Sequence, residues 1–201
     1  MKKLTILFAG LFLCATASFG QAIDDRAVIP VAVNLNSILR LNVTSGGNIE
    51  FNFNTLADYT TGIANSAGYT TRFTVASSVN WNVFIYAEDA AMTGTDLASA
   101  TPELEVGYIG YQIVGEGLFP IGDLDAPSNG VVTPLNANPS TLLVGFDGTP
   151  NAGDVAQHAY AIRWECATPA VLAAASLVNM LERAAAADRY STNVFLTLQP
   201  N

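Results

Sequence analysis

The sequence predicts an all-β protein, an antiparallel immunoglobulin-like β-sandwich with one short helix before the last strand. Three observations lead to this prediction. Apolar residues recur at alternate positions in several short segments, which is the period of a half-buried strand. Gly, Pro, Asn and Asp cluster between these segments, as they do in the loops that join strands. A repeated alternation of strand and helix, which would indicate a parallel sheet, is not seen.

The strands follow from the alternation of apolar side chains along the chain. The first segment contains Pro30, which cannot donate a hydrogen bond to a neighbouring strand, so it is predicted to be an edge strand. Residues 88–103 and 115–139 are polar or turn-rich and are predicted loops, the second with a short strand at Val131 and Val132. Strands are predicted over residues 27–35, 38–43, 48–53, 69–76, 80–87, 104–114, 141–146, 160–164 and 190–198.

Two segments have helical features instead. Residues 169–187 are rich in alanine, contain no glycine and place apolar residues at helical spacing, with Thr168 as the N-cap and Pro169 in the first turn. Residues 54–62 predict a short helix or helical turn, with Asn54 or Thr55 as the cap and Gly62 at its end.

The first twenty residues have the pattern of a signal peptide. Lys2 and Lys3 precede a run of about 14 mostly apolar residues, and small residues follow it. The run is shorter than the roughly 20 residues that span a bilayer, which argues against a retained anchor. A lipoprotein signal would need a small residue before Cys14, where Leu13 stands. We expect cleavage after Gly20, in preference to Ala17 or Ala22, and a single domain over residues 21–201.

Charge excludes some partners. Both lysines lie in the predicted signal peptide, which leaves six arginines against 17 acids and a net charge of about −11. Nucleic acids and anionic lipids are bound through basic side chains, so neither is an expected partner. Only Cys166 follows residue 20, so no internal disulfide is expected. Cys166 is read as a small buried residue beside Trp164, with a reactive or intermolecular thiol as the alternative.

No catalytic, cofactor-binding or metal-binding residue is assigned. The single histidine, His158, has no neighbouring motif of nucleophile and acid, so a secreted hydrolase ranks last. Calcium is the leading metal idea, with Asp123 and Asp125 in one loop and Asp147 and Asp154 in another. Neither loop matches the EF-hand pattern, and solvated turn residues are the favoured interpretation. The prediction is a protein that is not an enzyme and has no cofactor.

Three aromatic residues are predicted to be exposed. Phe84, Tyr86 and Tyr108 lie on strand faces opposite to the predicted core positions. They are read either as a surface contact for a glycan or another subunit, or as ordinary packing beneath a loop or the helix.

Both ends of the chain resemble known exported domains. The ending Asp188-Arg189-Tyr190-Ser191-Thr192-Asn193-Val194-Phe195-Leu196-Thr197-Leu198 resembles the last strand of fimbrial and spore-coat-like sandwich domains. Residues 29–41, the run Gly46-Gly47-Asn48-Ile49-Glu50-Phe51 and the run Ser18-Phe19-Gly20-Gln21-Ala22 are similar to exported domains of Bacteroidota. The resemblance covers about 40 residues and carries over no binding residue. The predicted helix and Cys166 depart from the fimbrial pattern.

These features together predict a non-enzymatic, extracellular or cell-surface structural protein. The periplasm is the alternative location. The protein is expected to associate with itself or with other surface proteins through terminal strands. Such a strand adds to a neighbouring sheet edge through main-chain hydrogen bonds. The alternative is a secreted adhesive module that binds a glycan or calcium. The predicted donated side chains are Ile29, Val31, Val33 and Leu35.

Overall fold

A computed structural model describes residues 29–96, 102–145 and 149–201. The chain divides into residues 1–35 and residues 36–201. The predicted signal peptide lies outside the described residues. Within the first unit, the strand predicted at residues 27–35 is not formed over residues 29–35, because no hydrogen-bonded ladder runs along them. All four of the apolar side chains that the alternation singles out are 77–90% exposed: Ile29, Val31, Val33 and Leu35.

The described part of residues 36–201 is built from twelve strands and two short α-helices. The helices are α1, Leu56–Thr61, and α2, Pro169–Ala175. The strands are β1 Leu39–Ser45, β2 Thr70–Ser77, β3 Trp81–Ala87, β4 Ala91–Gly94, β5 Glu103–Glu105, β6 Ile109–Gly115, β7 Leu124–Asp125, β8 Thr133–Pro134, β9 Ser140–Gly145, β10 Ala159–Cys166, β11 Tyr190–Ser191 and β12 Val194–Pro200.

The strands form three antiparallel sheets. Sheet A has the order β1-β2-β10-β6-β8, sheet B the order β12-β3-β9-β7, and sheet C the order β11-β4-β5. Sheets A and B share one apolar core, to which both contribute alternate side chains. The predicted all-β class is therefore confirmed. The immunoglobulin-like connection of the strands stays a prediction.

Strand β3 shows why the alternation predicts the core. Trp81, Val83, Ile85 and Ala87 are all buried, as the period of two requires. Each large apolar side chain buried in this way contributes roughly 1.5–3 kcal/mol to stability. Residues of sheet A that share this core include Phe73, Val75, Tyr111, Ile113, Tyr160, Ile162 and Trp164.

Both helices begin as the sequence predicts. The Thr55 hydroxyl accepts a hydrogen bond from the Asp58 backbone N–H at 3.2 Å, and the Asp58 carboxylate accepts one from the Thr55 N–H at 2.7 Å. Gly62 ends α1. Thr168 caps α2, but this helix stops at Ala175 instead of reaching residue 187. Ser176 has a left-handed backbone, with φ of 58°, and this turn ends the helix.

Several predicted strands have different bounds. Residues 48–53 form no strand, although Ile49 and Phe51 pack against the core. The predicted strand 104–114 is interrupted by a 3-10 turn at Val106–Tyr108, and the loop 88–103 contains β4. The short strand expected at Val131 and Val132 lies two residues later. In the described ranges, no helix is long and apolar enough to cross a membrane.

Candidate functional site

The candidate site is one side of the sandwich, where sheets A and B each end in a long strand. Strand β1 is the outermost strand of sheet A and β12 the outermost strand of sheet B, and the two lie near each other. Each has seven residues and is paired along one edge only. At their other ends, sheets A and B finish in β8 and β7, which have two residues each. Among the described strands, β1 and β12 are therefore the two long strands that end sheets A and B.

Strand β12 has a regular register. It pairs with β3 over its whole length, from Val194 opposite Ala87 to Pro200 opposite Trp81, with no bulge. Leu196 and Leu198 pack against the core but are only partly buried. Val194 is 36% exposed although it lies in the same phase as these core residues.

Strand β1 differs from β12 in charge and regularity. Its register with β2 shifts between Val43 and Ser45, so the strand carries a bulge or irregularity near its end. Leu39 and Leu41 pack against the core, while the exposed Arg40 lies between them in the opposite phase. The outer face beside Arg40 holds an open cavity of about 250 Å³, lined by Arg40, Asn42, Thr74, Ala76 and Val155.

The outer face of sheet B is aromatic next to β12. Phe84 and Tyr86 of β3 are partly exposed, and the Phe195 ring of β12 lies 5.3 Å from the Tyr86 ring. Sequence reasoning missed Phe195, although its place between Val194 and Leu196, in the opposite phase to these core-facing positions, could have indicated it. A shallow cavity of about 260 Å³ on this face is lined by Phe84, Tyr86, Pro139, Thr197 and Gln199.

Tyr108 does not belong to this aromatic face, so the prediction that it is exposed was wrong. Its side chain is fully buried in a second apolar cluster with Met92, Leu104 and Cys166. The 3-10 turn at Val106–Tyr108 breaks the strand alternation on which the prediction depended. Burial, followed by the charge of Glu105, raises the pKa of the Tyr108 hydroxyl.

His158 lies in the main core. Its side chain is fully buried, with ring centroids of Trp81 at 5.2 Å and Phe119 at 4.9 Å. Its Nδ1 is 3.0 Å from the Tyr160 hydroxyl. Burial lowers the pKa of His158, and the Ala152 carbonyl and the Asp154 charge oppose that lowering. A neutral ring enclosed by aromatic residues has the environment of a packing residue.

Cys166 is buried as the favoured interpretation expected. Its thiol is free and belongs to the second apolar cluster, and burial raises its pKa to about 12. A thiol with so high a pKa stays protonated at neutral pH, and the thiolate is the reactive form.

The aspartates considered for calcium are surface residues where the structure describes them. Asp123 and Asp125 are exposed, and the Asp154 carboxylate accepts hydrogen bonds from the Ala156 and Gln157 N–H groups in a tight turn. Asp147 lies outside the described residues. Among the described residues, no group of three or more His, Cys, Asp or Glu side chains is placed to hold a metal ion.

Comparisons with protein-family models and with curated protein sequences found no match to this chain.

Proposed function

We propose that this chain is a non-enzymatic structural subunit of the cell surface or extracellular space, which associates with itself by strand addition. In this proposal, residues 29–35 of one copy pair with a free sheet edge of another copy. The observation that carries the proposal is the exposure, at 77–90%, of all four alternating apolar side chains in this segment.

The exposed apolar side chains of residues 29–35 are unfavourable in water, and the edge of a sheet offers them both a pairing partner and an apolar surface. Isolated extended residues have main-chain groups without a β partner, and an edge strand presents the same unpaired groups. Pairing exchanges their hydrogen bonds to water for hydrogen bonds between strands. The same step buries Ile29, Val31, Val33 and Leu35 and so removes apolar surface from water. Full burial of one such side chain contributes roughly 1.5–3 kcal/mol, against an association cost of about 4–15 kcal/mol. Four side chains and a seven-residue ladder are therefore of the right order to hold two copies together.

The test is association of the purified protein in sedimentation experiments, with electron microscopy for filaments. Replacing Val31 and Val33 together by Ser should weaken association by about tenfold or more, because apolar burial is lost. The matched control replaces Ala32 and Asn34 together by Ser, since these residues occupy the opposite phase of the same segment. A wild-type protein that stays monomeric at several hundred micromolar, with no filaments, would refute the proposal.

A second candidate function is favoured by the aromatic face of sheet B. Phe84, Tyr86 and Phe195 offer ring surfaces, and Thr197 and Gln199 beside them offer a hydroxyl and an amide. Aromatic faces combined with uncharged hydrogen-bonding groups suit the apolar faces and hydroxyls of sugar rings.

Glycan-array binding tests this second function. Binding that is lost in Phe84→Ala and kept in Leu118→Ala, where the replaced residue is 81% exposed elsewhere, would support it. An array without any hit would remove it.

A further inference from the structure

We infer that the edge that accepts residues 29–35 is strand β12 of the second copy, and not strand β1. This inference rests on the proposed function, because it names the partner surface of the same association. The other described sheet ends are too short for a seven-residue segment: β5, β7, β8 and β11 have two or three residues each.

Strand β12 lacks the protection against pairing that β1 has. Proteins prevent unwanted pairing at an edge with charged side chains, bulges or proline. Strand β1 has a charged residue at Arg40 and a register shift after Val43. Strand β12 has no charged residue and no register shift, and its proline, Pro200, is its last residue. Of the two edges, β12 is thus the one with a regular register and no charged residue.

Strand β12 also leaves apolar surface uncovered. Leu196 and Leu198 face the core next to the open side of the sandwich, and both are only partly buried. Val194 continues this row at 36% exposure. A strand added alongside β12 with Ile29, Val31, Val33 and Leu35 in the core-facing phase would cover this row and extend the apolar core.

Pro30 determines which residues of the added strand can form hydrogen bonds with β12. In a strand, the N–H and C=O groups of successive residues point to opposite edges. Pro30 has no N–H, so it fits an added strand when its backbone points away from the acceptor. The backbone groups of Val31, Val33 and Leu35 then point toward β12. Insertion between β1 and β12 would instead place Pro30 against a second strand, where one hydrogen bond is lost.

The experiment compares two matched substitutions, Val194→Lys on β12 and Val43→Lys on β1. Both replace a valine in the core-facing phase of an edge strand, and the two valines are 36% and 43% exposed. A lysine that points toward the apolar side of an edge blocks pairing there. We expect Val194→Lys to raise the dissociation constant by about tenfold or more and Val43→Lys to leave it within about twofold.

Hydrogen exchange of the assembled wild-type protein gives a second readout. The amides of Val31, Val33 and Leu35 should become protected on assembly, while those of Ala32 and Asn34 stay exchangeable. Urea unfolding of both lysine variants at low concentration confirms that each domain is folded.

The outcomes separate the two proposals. If Val43→Lys weakens association and Val194→Lys does not, then β12 is not the acceptor and strand addition stands. The same conclusion follows if neither lysine variant weakens association while the double replacement of Val31 and Val33 by Ser does. Protection of Ala32 and Asn34 in place of the odd-numbered residues would likewise overturn the assigned phase. A monomeric wild-type protein would overturn both proposals.

Discussion

At the scale of single residues, His158 shows how the core uses a polar side chain. Its ring lies among Trp81, Phe119 and Tyr160, and burial lowers its pKa. The unfolded chain exposes the imidazole to water, where its pKa is near 6.5. Folding therefore favours the neutral ring, and protonation favours the unfolded state.

We expect this histidine to make the fold less stable in mild acid. Below about pH 6.5 the unfolded chain binds a proton that the folded ring resists, so the free energy of unfolding falls as pH decreases, by at most about 1.4 kcal/mol per pH unit. His158→Phe keeps an aromatic ring and should lose this part of the slope. Urea unfolding of both proteins between pH 7.5 and pH 5 measures it.

Glu165 changes the free energy of unfolding with pH in the opposite direction to His158. Comparing the wild-type protein with His158→Phe removes this contribution. Burial raises the pKa of the Glu165 carboxyl, which favours the protonated form in the folded state. Its contribution to stability is therefore fullest at low pH and is lost as pH rises through the folded pKa. Because Glu165 is present in both proteins, the difference between their slopes belongs to His158, the only histidine of the chain. Identical slopes would contradict the assignment.

At the scale of elements, the close packing of α2 on sheet A depends on Gly110. This glycine of β6 is buried, and a Cβ atom on it would overlap a methyl group of Val171, which is fully buried in α2. Val171 is β-branched, so its rotamer cannot change freely to make room. The missing side chain in the strand thus sets how near the helix lies.

We expect Gly110→Ala to destabilise the fold by about 1–3 kcal/mol through overpacking. In the Val171→Ala background the same substitution should cost less, because the overlapping methyl group is gone. A double-mutant cycle in urea should give a coupling energy of about 1 kcal/mol. Gly47→Ala is the control, since a Cβ atom there meets nothing within 4 Å. Additive effects of the two substitutions would show that the contact is not the cause.

The elements also show what the sequence could predict. Alternation located β3, and capping residues located both helix starts, because these signals are local. Strand β7 was not predicted and β8 was placed two residues too early, since these two-residue strands exist only through pairing with distant strands. The end of α2 at Ser176 was missed because serine gives no sign of a left-handed backbone. Tyr108 was misplaced for a related reason, since one 3-10 turn reverses the phase of an alternating pattern.

The candidate site was predictable to a similar degree. The alternation of residues 29–35 was visible in the sequence, and so was the pair Phe84 and Tyr86. The sequence did not show which strands end each sheet, because the order β12-β3-β9-β7 joins segments that are far apart in the chain. The difference between the β1 and β12 edges emerges only from that order.

At the scale of the whole molecule, charge opposes the proposed association. The chain has a net charge of −9, whereas neither residues 29–35 nor β12 contains a charged residue. Copies of the protein therefore repel one another, while the two surfaces proposed to pair are uncharged.

We expect association to strengthen with salt. Raising the ionic strength from 0.01 M to 0.1 M shortens the screening length from about 30 Å to about 10 Å, which weakens repulsion between copies. Sedimentation across this range should show the dissociation constant falling at least about twofold, by the same reasoning. Weaker association at higher salt would mean that ion pairs hold the copies together, contrary to the apolar contact proposed.

The seven-residue edge of β12 has a consequence for growth. In the proposed association, residues 29–35 and the β12 edge are different parts of the protein, so each contact would join unlike surfaces. Contacts of this kind form rings or open polymers. An open polymer built this way has two different ends. One end has an unused segment of residues 29–35, and the other has an uncovered β12 edge. A copy carrying Val194→Lys, with an intact segment and a blocked edge, would then join only one of these ends and stop elongation there.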